Sequence, residues 1–496
     1  SLKADWRVTP NSVLSLGAQM NRLAVYIGQQ RLATNAGTVG TPTIADGLPF
    51  SYGGNFTNGA TGRGTVVMTG TGQTFFGGTD LINLNYRFDD GQWKIESGAS
   101  MSIATRREPD TGHFNFLSAS MILSPKRDSF ADVNPDVPGS IKVFDNDNQE
   151  VDIHDIKNYR LNSGGFAPYN NATSSKSANL NLKRRFNFLP FPFALQVGAM
   201  QRNLAVDTRL ESSSYTYNGP GGNNTPEPFL MQIYKNQDSF YGFKNVPWMS
   251  VNRAFVAWEA KPQLFTQTVA QAVAAEQSRI LRSEYLEERV SALYLQAEAR
   301  LMKNRLNILT GVRFEKTIGK GEGSLTDADA IWVRNANNTF ALAAAGARIR
   351  KPEAGAAGSM EELRLQRHER ALRNEQSYEG YYPSLHLTYN IKENFLARLA
   401  YAKTYGRPSL ANIIPNAYFS ERVLTEAELD DPDVIRGTVT IRNTGLKPWS
   451  ADNYDLSLEY YTQSGGILSG GLFVKEIRDF FGSAVKLATP EDLAAF

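Results

Sequence analysis

Four histidines are the first residues to test for chemistry in this 496-residue chain. His113, His154 and His368 fall in stretches that read as loops, and His386 falls on the polar parity of an alternating stretch. Nucleophilic or general-base catalysis needs an imidazole within reach of a nucleophile and an orienting carboxylate. None of the four sits in a Ser/His/Asp arrangement of interpretable spacing, and each suits a structural role. Cysteine is absent, which excludes thiol catalysis, thiolate metal sites and disulfides. The stretch "TGTGQTFFGG" (69–78) carries Gly70 and Gly72 but no surrounding strand–helix–strand unit, so it reads as a glycine-rich surface loop rather than a phosphate cradle. "DNDNQEVD" (145–152) has the Asp145 and Asp147 of a calcium loop, yet Glu150 stands where glycine is required and Ile156 where glutamate is required. Neither a catalytic site, a metal nor a cofactor is expected. Ligand contact remains: Arg106, Arg107, Tyr405 and Arg407 could meet an anionic chelate or a sugar, and each could equally pack a rim.

The elements that must position these residues are strands. In "NYDLSLEYY" (453–461), Tyr454, Leu456, Leu458 and Tyr460 share one parity, while Asp455, Ser457 and Glu459 share the other. The pattern recurs in pairs. Ile82, Leu84, Tyr86 and Phe88 lie opposite Asn83, Asn85 and Arg87; after Asp89-Asp90-Gly91-Gln92 come Trp93, Ile95, Ala99 and Met101. Similar legs run through 2–27, 179–205, 293–315, 385–401 and the 453–475 stretch, about a dozen strands in six hairpins. Turns within a hairpin are tight, as at Thr9-Pro10-Asn11 and Lys303-Asn304. Connections between hairpins are long: 28–79, 106–177, 211–284, 320–379 and 406–452. Within them, 265–290 has helical spacing at Val269, Val273 and Ile280, and 350–376 reads as a charged mobile loop.

Such strands have two unlike faces, and the solvent on each must be found. No run approaches the ~18 to 20 apolar residues of a membrane helix. A barrel needs only alternate residues apolar, with aromatic girdles at both rims. Phe88, Trp93 and "FNFLPFPF" (186–193) flank the tight turns, and Tyr401 and Tyr454 sit near the other strand ends. The expected fold is therefore all-β: an antiparallel transmembrane β-barrel with short turns on one rim, long loops on the other and a wet lumen where Glu298, Arg300, Arg313 and Glu315 can pair. Lipid tolerates no open strand edge, so such strands must close. A soluble β-sandwich or solenoid is the competing architecture. Lys+Arg 52 against Asp+Glu 50 leaves +2, which gives no reason to expect nucleic acid as a partner.

Several stretches carry more than pattern. "GYYPSLHLTYNIKENFLARLAYAKTYGRPSLANIIPN" (380–416), "GLKPWSADNYDLSLEYY" (445–461) and "GGLFVKEIRDFF" (470–481) resemble, in order, the barrel of TonB-dependent outer-membrane receptors. "YLQAEARLMKNRLNILTGVRFEKT" (294–317) is similar to an earlier hairpin of that family. The resemblance implies a 22-stranded barrel in a Gram-negative outer membrane, occluded by an N-terminal plug. Through that plug the inner-membrane TonB complex would energise uptake of a scarce nutrient, such as an iron chelate, a cobalamin-like molecule or a glycan. Residues 1–496 are expected to be barrel only, truncated at both ends and lacking the plug, because "SLKADWRV" already alternates and Thr489-Pro490-Glu491-Asp492 reads as a helix start. A passive porin or adhesion barrel and a soluble β-rich binding protein are the alternatives; a plug encoded upstream, and extraction only by detergent, would separate them.

Overall fold

Alternating strands satisfy their backbone only through neighbours, so the sequence pattern dictates a sheet. The computed structural model describes residues 1–37, 39–108, 118–134, 137–234, 244–409, 412, 414–421, 435, 437–441, 446–482 and 489. The wall of the molecule is an antiparallel meander of twelve strands: β1 (Leu2–Thr9), β2 (Ser12–Asn35), β3 (Gly64–Asp89), β4 (Trp93–Glu108), β5 (Tyr169–Phe186), β6 (Phe193–Leu210), β7 (Ser283–Leu301), β8 (Leu306–Asp327), β9 (Arg367–Lys392), β10 (Phe395–Gly406), β11 (Trp449–Tyr461) and β12 (Ile467–Arg478). Each pairs with the next, from β1–β2 through β11–β12. Among the described residues β1 pairs only with β2, and β12 only with β11.

The wall is apolar outside. Ile82, Leu180, Leu293, Tyr381, Leu456 and Leu472 are all exposed, each on its strand's outward parity. Inward rows carry Asn85, Glu96, Asn181, Gln196 and Arg313. Rings collect at both ends of the band. Phe186 meets Phe188 and Phe193 at 5.6 Å on the short-turn rim, while Phe314–Tyr381 (5.1 Å) and Tyr401–Tyr454 (5.2 Å) mark the other. The short turns use the residues such turns require. Gly91 has φ 89°, and the Asp90 carboxylate accepts from the Gln92 and Trp93 amides.

The strands are longer than a membrane crossing requires. A tilted strand crosses in about 9 to 11 residues, whereas β2 has 24 and β3 and β9 have 26. Three expectations change as a result. Gly28–Asn35 and Thr65–Thr79 continue the β2–β3 ladder instead of forming a loop, so "TGTGQTFFGG" is strand. Residues 367–376 of the supposed mobile loop, His368 included, belong to β9. In these projecting parts one face packs on protein and the other on water, and glycine and threonine stand where lipid would demand leucine. The periodicity therefore fades while the hydrogen bonds persist.

Above the wall the long connections build a cap with a core of its own. Strand 118–134 pairs with the projecting end of β3, and strands 137–144, 160–166 and 213–217 share a core with helix α1 (Val251–Ala260). Val66 and Met68 of β3, Leu161, Met249, Phe255 and Phe265 are buried together. The buried Tyr159 hydroxyl donates to the Ile153 carbonyl at 2.8 Å. Gly70 lies beneath α1, where a Cβ would come within 2.5 Å of Val251. The helix expected within 265–290 is α2 (Val269–Leu281), started by a Thr268/Gln271 capping box. A further short helix, α3 (Met360–Gln366), precedes β9. His113 and the helix start at 490–492 lie outside the described residues.

Candidate functional site

The inward rows of β6 to β10 converge on two carboxylates, Glu288 of β7 and Glu315 of β8, which are 3% and 6% exposed. Buried carboxylates stay ionised only with charged partners. Glu288 accepts from Arg202 of β6 (3.1 Å) and from Arg407 (2.9 Å). Glu315 accepts from Arg313 (2.9 Å), from Arg407 (2.6 Å) and from the Tyr405 hydroxyl. Arg407 thus bridges two strands.

Alternation from Phe395 through Tyr401 would turn Tyr405 outward. Its ring instead stacks at 4.5 Å on Tyr382, whose register partner Arg313 lies on the inward row. The cause lies in the backbone. Pro383 has no N–H to donate, and the β9–β10 ladder stops at Ser384 opposite Ala402. Past that point, among the described residues, β10 continues its ladder with β11 only. Residues 414–419 then lie against the inner face. Ile414 packs on Leu286 and Val206, the Pro415 carbonyl sits where a Cβ on Gly323 would lie, and Ala417–Phe419 runs parallel to Leu325–Asp327.

The second group of sequence-predicted residues lies elsewhere along the wall. Arg106 stands on the inward row of β4, its guanidinium over the rings of Phe75 (4.6 Å) and Tyr169 (5.4 Å) and paired with Glu108. Gln73 donates to the same carboxylate. Arg107 takes the opposite, outward row, in register with the exposed Phe76. The structure therefore joins Tyr405 to Arg407 and gives Arg106 an aromatic seat. It places Arg106 and Arg107 on opposite faces.

The inward ion pairs expected among Glu298, Arg300, Arg313 and Glu315 form within strands, Arg313–Glu315 at 2.7 Å and Arg300–Glu298 at 3.4 Å. Between strands, Glu298 takes Lys183 at 2.8 Å. Glu288, Arg202 and Tyr382 went unnamed in the sequence, although all three stand on the polar parity of their strands. Parity was the available signal, and the missing information was which loop folds inward. The Asp145 carboxylate accepts from the Asp147 and Gln149 amides, which makes it a turn-former. Among the described residues no group of three or more His, Asp or Glu is placed to hold a metal. Chemically, this is a water-facing wall whose charges are set in pairs, able to bind and orient a polar solute.

Comparison with known proteins gives one sequence-family match: the family described as TonB dependent receptor-like, beta-barrel, over residues 21–493. No curated protein matches the chain. Among solved structures it is similar to the alcaligin outer-membrane receptor FauA of Bordetella pertussis (10% identity, TM-score 0.28, covering 93% of this chain and 51% of that one). It is also similar to the ferric-catecholate import receptor Fiu of E. coli K12 in its open form (8%, 0.39, 96% and 57%) and to the unliganded ferric citrate transporter FecA (9%, 0.32, 96% and 50%). The chain spans about half the length of these structures.

Proposed function

The chain belongs to the TonB-dependent receptor β-barrel family, and from that premise we propose that it forms the wall and outer cap of an energy-coupled receptor for a scarce nutrient in a Gram-negative outer membrane. Members of this family are transporters and not enzymes. The observation that carries the proposal is the opposition of faces: an exposed apolar row outside, paired charges and amides inside, and a folded cap on one rim only. A solute caught by the cap would descend past Arg106 and past Tyr405 with Arg407. Arg106, half exposed and flanked by two rings, suits an anionic chelate or a sugar. Arg407, held by two carboxylates, positions the inward segment next to that path, and Arg107 could meet a ligand only at the rim. The energy would come from the TonB complex, through a plug supplied by the whole protein.

The test is uptake of radiolabelled ferric chelates and oligosaccharides by cells carrying the full-length gene, with and without a functional TonB complex. Accumulation against a gradient that vanishes without TonB is expected. Equal, gradient-limited entry in both strains would favour the passive porin instead.

A further inference from the structure

Above Ser384 the wall has a seam. β9 pairs with β8 from Tyr389 up to Arg367, but its ladder to β10 ends where Ser384 faces Ala402. β10 runs on to Gly406 with β11, Lys403 facing Asp452 and Tyr405 facing Ser450. Among the described residues no strand pairs with the other edge of β9 between Arg367 and Pro383. Pro383 sets where the seam begins, because a ladder carried past it starts one hydrogen bond short.

The residues beside the seam fit a second arrangement. Carried on in the same register, the β9–β10 ladder would set Tyr381 opposite Tyr405, Gly380 opposite Gly406 and Glu379 opposite Arg407. Each match is chemically sound. Tyr381 is exposed on the outward row with its ring 5.1 Å from Phe314, so Tyr405 would join an existing cluster. Glu379 is exposed on the same row and has no ion-pair partner among the described residues. Tyr405 and Arg407 both carry the outward parity of Phe395–Tyr401.

In the structure these two side chains are turned in instead. Tyr405 stacks on Tyr382 at 4.5 Å, and Arg407 reaches Glu288 at 2.9 Å and Glu315 at 2.6 Å. Neither carboxylate depends on Arg407 alone, since Arg202 lies 3.1 Å from Glu288 and Arg313 lies 2.7 Å from Glu315. Departure of Arg407 would therefore strand no buried charge. Gly406 sits under the Trp449 ring with no room for a Cβ, which puts a residue free of side-chain bulk at the turning point.

We propose that the tops of β9 and β10 form a two-state zipper. In the latched state Tyr405 and Arg407 lie inward and narrow the lumen. In the zipped state they move to the outward row beside Tyr381 and Glu379, and the lumen at this level keeps only Tyr382 and the ion pairs of Arg202 and Arg313. The hydrogen bond that Pro383 withholds weakens the zipped state and leaves the two in competition.

The test reads the wall alone, so its result is independent of energy-coupled uptake. The full-length protein carries Ser377→Cys and Ser409→Cys, with any other cysteine replaced by serine, and is spin-labelled in lipid vesicles. These positions flank Glu379 and Arg407, and pulsed dipolar spectroscopy should find a long latched distance and a short zipped one. Glu315→Gln should raise the short-to-long ratio roughly tenfold, because Arg407 loses a charged hydrogen bond inside. Pro383→Ala should raise it roughly fivefold by restoring the N–H. Glu379→Gln should lower it about threefold, as befits an exposed pair. Retained β-sheet circular dichroism shows that each variant is folded. A single distance that none of the three variants moves overturns the switch, and so does a rise in the ratio for Glu379→Gln.

Discussion

The wall and the cap spend hydrophobic residues in opposite directions. In the wall, leucines point outward and stay exposed, while carboxylates such as Glu288 turn in and are buried. In the cap, Met249, Phe255 and Phe265 turn in and are buried together. One chain follows both rules because its surroundings differ. Lipid removes the reward for hiding apolar groups and demands that every backbone group be paired, whereas water rewards a packed core. The wall is therefore held by continuous ladders and lumen ion pairs, and the cap by side-chain packing. The comparison also explains β2, β3 and β9, which obey the wall's rule low down and the cap's rule above.

The largest effect should come from the cap. Phe255→Ala removes a buried ring next to Trp258, and should cost about 3 to 5 kcal/mol of cap stability. Limited proteolysis should then cut the cap and spare the wall; simultaneous loss of both would mean they are not separate systems. In the wall, Leu456→Arg should cost about 2 to 4 kcal/mol in folding into a bilayer, and Ser457→Arg should be nearly neutral because the lumen hydrates it. Equal penalties at the two positions would defeat the assignment of faces. Arg407→Ala strips one partner from each of two buried carboxylates. Arg202 and Arg313 remain, so the loss should fall near the low end for broken buried pairs, about 3 kcal/mol by urea unfolding in micelles.

How much of this was legible in the sequence follows from the same contrast. The wall strands were, because lipid enforces strict alternation: Leu456 and Ser457 declare their faces by parity alone. The upper halves of β2, β3 and β9 were not, since glycine-rich ladders such as 69–78 carry no alternating apolar signal. The cap core was not readable either, because Tyr159, Met249 and Phe265 come from segments far apart in the chain. Arg407 could be named but not placed. Its role depends on Pro383, on the strand next to Glu315, ending the β9–β10 ladder, a consequence of register and not of composition.

A smaller effect marks the short-turn rim, outside the lipid band. The Asp89 carboxylate accepts from Arg185 (3.0 Å) and from the Gly91 amide (2.9 Å), and these hold its pKa down at about 2. Because the folded value is depressed, the contact is fully present above the unfolded carboxylate value of about 3.9 and is lost as pH falls through about 2. Acid titration of Asp89→Asn should lack the part of the stability loss that the parent shows between those values. An unchanged acid limb would remove Asp89 from the turn's stability.

The opposition of faces can be read directly on β11, helped by the absence of cysteine from these 496 residues, with any cysteine elsewhere in the full-length protein replaced by serine. Single substitutions Tyr454→Cys, Asp455→Cys, Leu456→Cys, Ser457→Cys, Leu458→Cys and Glu459→Cys in the full-length protein, spin-labelled in lipid vesicles, report whether each position meets dissolved oxygen in lipid or a water-borne nickel relaxant. Labels at 454, 456 and 458 should respond to oxygen, and labels at 455, 457 and 459 to nickel, alternating with period two. Uniform access to nickel along the strand, or the opposite phase, would contradict a wall with lipid outside and water within.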